Sequence, residues 1–158
     1  NEYYLTDVAA ELRDAGHRVD ALPVEDAVEA SGVNDRAQLA VAEAALRARI
    51  NEGWMRAGVT MYDPASTYVD VAVELSPEVT LLPGVMLLGS SVVEPGAVIG
   101  PFARLEDTRV GERARVGSAQ ATRAHIGADA VVGAHCVLEP GAAVAPGATV
   151  RANEVLAP

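Results

Sequence analysis

The chain has 158 residues, half of them hydrophobic, with one Trp, four Tyr, one Phe and a formal net charge of −10. It has no lysine, and its 12 arginines are scattered among 22 acids, so neither a nucleic-acid surface nor polybasic membrane attachment is expected. The single cysteine, Cys136, rules out an intrachain disulfide framework, and no apolar run approaches the roughly 18 residues of a membrane span.

The chain opens on Asn1, with no methionine and no leader pattern, which is expected of an internal piece of a larger cytoplasmic protein. Residues 1–35 read as the end of an α/β unit. Asp7 is placed to cap a short helix carrying Val8 and Leu12, with Gly16 as its stop. Arg18 to Val24 alternates as an edge strand would, with Val19, Ala21 and Pro23 on one side. Glu25 to Ala30 is short and acidic, and Gly32-Val33-Asn34 forms a turn. Residues 36–57 predict a helix. Asp35 is its N-cap, Leu39, Leu46, Ile50 and Trp54 form an apolar stripe, and Gly58 ends it.

From Val69 the period changes to six. Aliphatic residues recur at Val69, Leu75, Leu81, Leu87, Val93, Ile99 and Leu105, slip to Val110 and Val116, and resume at Ile126, Val132, Leu138, Val144 and Val150. Four residues after most of these stands a small or β-branched residue, such as Val79, Ser91, Ala97, Ala130 or Cys136. A six-residue period fits neither a helix nor ordinary strand alternation. It fits a three-sided coil with one hexapeptide per side, the left-handed parallel β-helix. Each aliphatic side chain stacks inside a narrow prism, which explains the scarcity of aromatics. Three five-residue intervals, near 105–110 and across 116–126, are irregularities the coil must absorb. The fold class is therefore mainly β. The same solenoid carries acyltransferases, carbonic anhydrases and passive oligomerisation modules, so it does not decide function.

His17, His125 and His135 invite comparison with the three-histidine zinc site of hexapeptide carbonic anhydrases, but only two lie in the solenoid, and surface histidines are the reading adopted. Cys136 falls on a small-residue position and reads as a packing thiol. Glu106, Asp107, Glu112 and Asp129 read as a solvated exterior. No phosphate-cradling loop or Ser-His-Asp spacing is present, and no catalytic residue is assigned.

Several strings in order carry a family resemblance. They are Glu2-Tyr3-Tyr4-Leu5-Thr6-Asp7, Gly16-His17-Arg18-Val19, Gly32-Val33-Asn34-Asp35-Arg36-Ala37-Gln38-Leu39, Arg47-Ala48-Arg49-Ile50-Asn51 and Gly58-Val59-Thr60-Met61-Tyr62-Asp63-Pro64, with the hexapeptides following. Together the chain resembles the bacterial bifunctional N-acetylglucosamine-1-phosphate uridylyltransferase/glucosamine-1-phosphate N-acetyltransferases. The resemblance implies that residues 1–36 close a Rossmann-like α/β nucleotidyltransferase domain, 37–57 form a linker helix and 58–158 open the acetyltransferase-like β-helix. It implies acetyl transfer from acetyl-CoA to glucosamine 1-phosphate, then coupling of N-acetylglucosamine 1-phosphate to UTP, in a homotrimer. It also implies that Asn34 binds substrate through Mg²⁺, as one ligand of that ion. A carbonyl oxygen suits so hard a cation; the competing reading is that Asn34 only caps the helix.

Two departures from the family pattern stand out. The partner aspartate and the Gly-rich nucleotide loop are absent from the chain, as are the His, Lys and Tyr of the acetyl-transfer site. Where the family has Leu-Arg-Pro-Gly, this chain has Leu138-Glu139-Pro140-Gly141, which reverses the charge presented to a phosphate. Arg123 and Arg151 are the nearest replacement cations. The alternative is a sugar-nucleotidyltransferase whose β-helix is a structural trimerisation module. A stand-alone acyltransferase or carbonic anhydrase is the third reading.

Overall fold

The computed structural model describes residues 6–24 and 27–158. The Glu2–Leu5 part of the first family string, and Glu25 and Asp26 of the acidic segment, lie outside the described residues. Helix α1 spans Asp7–Asp14 and helix α2 spans Arg36–Arg56; everything after α2 is solenoid.

α1 forms where expected, but Asp7 is its first helical residue rather than its cap. Gly16 takes φ +84 just after the helix, and His17 N–H donates to Leu12 C=O at 3.0 Å. The edge strand expected over Arg18–Val24 does not form. That stretch is exposed coil, with Leu22 92% accessible. A strand is stable only with a ladder partner, and the described residues supply none there.

α2 begins as predicted: Asp35 Oδ1 accepts from Gln38 N–H at 2.7 Å. Gln38 Oε1 in turn accepts from Asn34 N–H at 2.6 Å, a reciprocal arrangement that fixes the entry to the helix. The helix is about 31 Å long, and only its C-terminal part meets the solenoid. Ile50 and Trp54 pack on the core, whereas Leu39 and Leu46 remain 55% and 57% exposed. The predicted stripe is thus used over half its length. Gly58, at φ +98, turns the chain into the first coil.

The solenoid is a parallel β-helix whose strands fall into three sheets of six, six and five strands. On the first face Met61, Leu81, Ile99, Val116, Val132 and Val150 stack in register. The second face stacks Val69, Leu87, Leu105, Ala121, Leu138 and Leu156. The third stacks Leu75, Val93, Val110, Ile126 and Val144. Successive coils lie about 4.8 Å apart, so each ladder is a continuous apolar column. A second inward set, including Val79, Ala97, Ala114, Ala130 and Cys136, is also fully buried. These residues sit beside the corners, where little room is left.

The five-residue intervals are resolved by Ala121. It pairs with Leu105 below and Leu138 above and is 1% exposed, so it is the rung missing from the aliphatic ladder. The coil tightens here, and a smaller side chain fills it. Two buried hydroxyls belong to the same region. Ser91 Oγ accepts from Thr108 N–H at 3.1 Å and donates to Leu88 C=O at 2.8 Å. Thr108 Oγ1 donates to Glu106 C=O at 2.9 Å, so neither hydroxyl is left unpaired.

The exterior carries ion pairs across coils. Arg113 makes two 2.8 Å bonds to the Asp129 carboxylate, Nε to Oδ1 and an amino group to Oδ2. This hydrogen bonding holds the Asp129 carboxyl below its usual range and raises the Arg113 guanidinium. Being exposed, such pairs add little stability, though they align neighbouring coils.

Candidate functional site

Asn34 stands in the turn that leads into α2. Because Asp35 takes the capping role, Asn34 is not needed for it, and its carboxamide makes no hydrogen bond among the described residues. Asn34 lines a surface cavity of about 580 Å³ with Gly32, Val33, Gln38 and Val41. This geometry weakens the reading in which Asn34 only caps the helix. It does not by itself make an Mg²⁺ site. Such a site uses one or two carboxylates with substrate phosphates, and no metal-sized group of His, Cys, Asp and Glu side chains occurs among the described residues.

Glu139 occupies a corner of the solenoid between the second and third faces. The corner is a tight turn: Ala142 N–H donates to Glu139 C=O at 2.9 Å, and Gly141 takes φ +94. Gly141 N–H also donates to Arg123 C=O at 2.9 Å, which puts Arg123 at the same corner one coil below. Arg151 sits at a different corner, after Val150 on the first face. Of the two replacement cations named from the sequence, only Arg123 lies beside Glu139. Below it again lies Asp107, whose carboxylate accepts from Ser90 N–H at 2.9 Å and Ser90 Oγ at 3.0 Å. Those bonds, and the nearby Arg123, hold the Asp107 carboxyl below its ordinary value. The corner column therefore reads acid, cation, acid. It does not form an anion cradle.

The histidines do not converge. His125 lies on the third face and His135 at the corner after the first, in line with the surface reading. Cys136 is 1% exposed, with Sγ 3.0 Å from Arg151 C=O, the packing role expected of it.

One feature escaped the sequence reading. A cavity of about 350 Å³ lies between α2 and the first coil, walled by Leu46, Arg47, Ile50, Tyr68, Val69 and Val71. The Arg47 guanidinium stacks 4.3 Å from the centre of the Tyr68 ring. One residue is on a helix and the other on a strand, and no local pattern links them.

No known protein-family profile matches the chain. Over 77 residues, 49% of its length, it is 58% identical to the bifunctional protein GlmU of Syntrophotalea carbinolica. It is 56% identical over 79 residues to GlmU of Kineococcus radiotolerans and 50% identical over 78 residues to GlmU of Streptococcus thermophilus. The matched region is 16–17% of the length of these relatives. The resemblance drawn from the sequence strings is thus borne out over about half of the chain. Among solved structures, the chain is similar to the acetyltransferase domain of PglB from Neisseria gonorrhoeae, solved with acetyl coenzyme A. The identity is 18%, covering 73% of this chain and 66% of that one, at a TM-score of 0.45. It is also similar to PerB from Caulobacter crescentus, with 23% identity over 69% of this chain and 63% of that one, at a TM-score of 0.43.

Proposed function

We propose that this chain is part of a bifunctional transferase of UDP-N-acetylglucosamine synthesis. Glucosamine 1-phosphate is acetylated from acetyl-CoA, and the product is then coupled to UTP. The observation that carries this reading is the extended match to bifunctional GlmU proteins in a chain whose fold is a hexapeptide solenoid. Residues 1–36 then close the uridylyltransferase domain, 37–57 are the linking helix, and 58–158 open the acetyltransferase domain. The reaction is assigned to the cytoplasm. No helix among the described residues is long and apolar enough to cross a membrane.

In the second reaction a phosphate oxygen of the sugar attacks the α-phosphorus of UTP, and the bond to pyrophosphate breaks. Mg²⁺, when bound, lowers the charge on the reacting phosphates. Asn34 presents a neutral oxygen at the turn, uncommitted to the helix cap, and is assigned as one of its ligands and so as a substrate-binding residue. In the full-length protein, Asn34→Ala is expected to lower uridylyl transfer by at least about tenfold and to raise the Mg²⁺ concentration required, with the fold intact. Unchanged turnover with an unchanged Mg²⁺ requirement would leave Asn34 with no role at the metal.

The solenoid faces offer the surface for a homotrimer. Met86, Val131 and Val137 point outward from strands and are 38–39% exposed. The full-length protein is expected to sediment as a trimer at micromolar concentration, and a monomer there would count against this assembly. A second reading, a nucleotidyltransferase with a purely structural β-helix, is favoured by one observation: the acid at position 139.

A further inference from the structure

Asn51 is a buried polar residue where α2 meets the solenoid. The residue is 1% exposed, although it sits on a helix whose other residues are largely exposed. Its amide nitrogen donates twice, to Pro64 C=O and to Thr67 C=O, both at 2.9 Å. Both acceptors belong to one tight turn. Asp63 caps that turn by accepting from Ala65 N–H at 3.2 Å, and Thr67 Oγ1 closes it onto Asp63 C=O at 2.8 Å. Ser66 of the same turn accepts from Gly84 N–H at 3.0 Å, in the next coil. A continuous hydrogen-bonded path therefore runs from α2 through Asn51 and the Asp63–Thr67 turn into the second coil.

Sequence spacing would assign the docking of α2 to its apolar stripe. Yet Leu39 and Leu46 are exposed; of the stripe only Ile50 and Trp54 pack on the core, with the Arg47 guanidinium stacked on the Tyr68 ring beside them. Two apolar residues one turn apart hold a helix down but do not set its direction, because apolar contact is non-directional. Two hydrogen bonds from one planar amide to two carbonyls are directional. The arrangement is demanding: the other amide atom, Oδ1, is buried without a protein partner. A buried polar group kept at that cost is best placed in a role of specification.

We propose that Asn51 is the joint that fixes the direction of α2 on the first coil, so that the helix acts as a rigid strut carrying the Asn34 turn at a set distance from the solenoid. The proposal stands independently of the assigned reactions. It is a conformational device, and its readout is orientation and local opening rather than turnover.

The test uses spin labels at R36C and T149C in a Cys136→Ala background of the full chain, with and without Asn51→Ala. The expected result is a narrow distance distribution that broadens when Asn51 is lost. Hydrogen exchange on the same pair should run about tenfold or more faster at amides 45–56 and at Gly84, whose partner Ser66 is in the clamped turn, with the coil-to-coil amides of Gly111 and Gly127 unchanged. An unchanged distribution would overturn the proposal. So would exchange that rises uniformly along the solenoid, which would reduce Asn51 to a contributor to overall stability. Should Asn51→Ala not fold, Asn51→Asp is read instead. Its protonated carboxyl keeps one donor and its ionised form none, so broadening must appear as pH rises; a width independent of pH would reject the joint.

Discussion

Leu105→Ala is expected to destabilise the solenoid by about 2–5 kcal/mol, the range for deleting most of a fully buried aliphatic side chain. Leu105 is completely inaccessible and sits in the second-face column between Leu87 and Ala121. Its backbone is held in parallel ladders from both sides, so the wall cannot collapse into the space left behind. Urea unfolding checks this, through a lower midpoint at constant slope. A loss below about 1 kcal/mol would mean that the tightened coil relaxes inward. The reverse change, Ala121→Leu, should also destabilise, by about 1–3 kcal/mol, because the shortened coil has no room for it. The double swap should cost less than the sum of the two, since the sites touch and total volume is conserved.

Glu139→Arg in the full-length protein should tighten binding of glucosamine 1-phosphate by one to three orders of magnitude. This rests on the proposed acetyl transfer. A like charge near a phosphate costs at least ~1 kcal/mol even when well solvated. A charge-assisted hydrogen bond adds ~1.5–3 kcal/mol once a cation is present, and each ~1.4 kcal/mol is tenfold. Glu139 is exposed at its corner, and its backbone N–H is already used, donating to Leu156 C=O at 2.8 Å. The substitution therefore changes charge without disturbing the turn. The measurement is the KM for glucosamine 1-phosphate in an acetyl-CoA consumption assay. Activity that is robust in the unmodified protein and lost on Glu139→Arg would show that Glu139 belongs to a differently built site. Arg123, one coil below, would then be the cation to test next; it is already flanked by Asp107.

The hexapeptide register explains why so much of the solenoid was legible. A three-sided coil must place an aliphatic residue inside once per side, so a period of six in Leu, Val and Ile can be read without any structure. The corners were legible only in part. Gly141 does take a left-handed φ, whereas Gly127, directly after a rung, does not. A Cβ at Gly127 would lie 2.5 Å from Pro146 N, so close passage of the next coil keeps that position small. Both are glycines in the sequence, and only the geometry separates the two causes.

Ala121 shows the same limit in the core. In the sequence an alanine on a rung cannot be told from an alanine beside a corner; register with Leu105 and Leu138 decides it. The edge strand over Arg18–Val24 failed because alternation states which side a residue would face, not whether a partner strand exists. The sequence by itself determined the β-helix, the start and end of α2 at Asp35 and Gly58, and the burial of Cys136, since each follows from local period, capping chemistry or side-chain size. Only the tertiary structure decided that Arg123 and not Arg151 shares a corner with Glu139, and that Asn51 ties the helix to the first coil. Those are contacts between residues far apart or on different faces, and their partners are set by how the coils stack, which no run of neighbouring residues encodes.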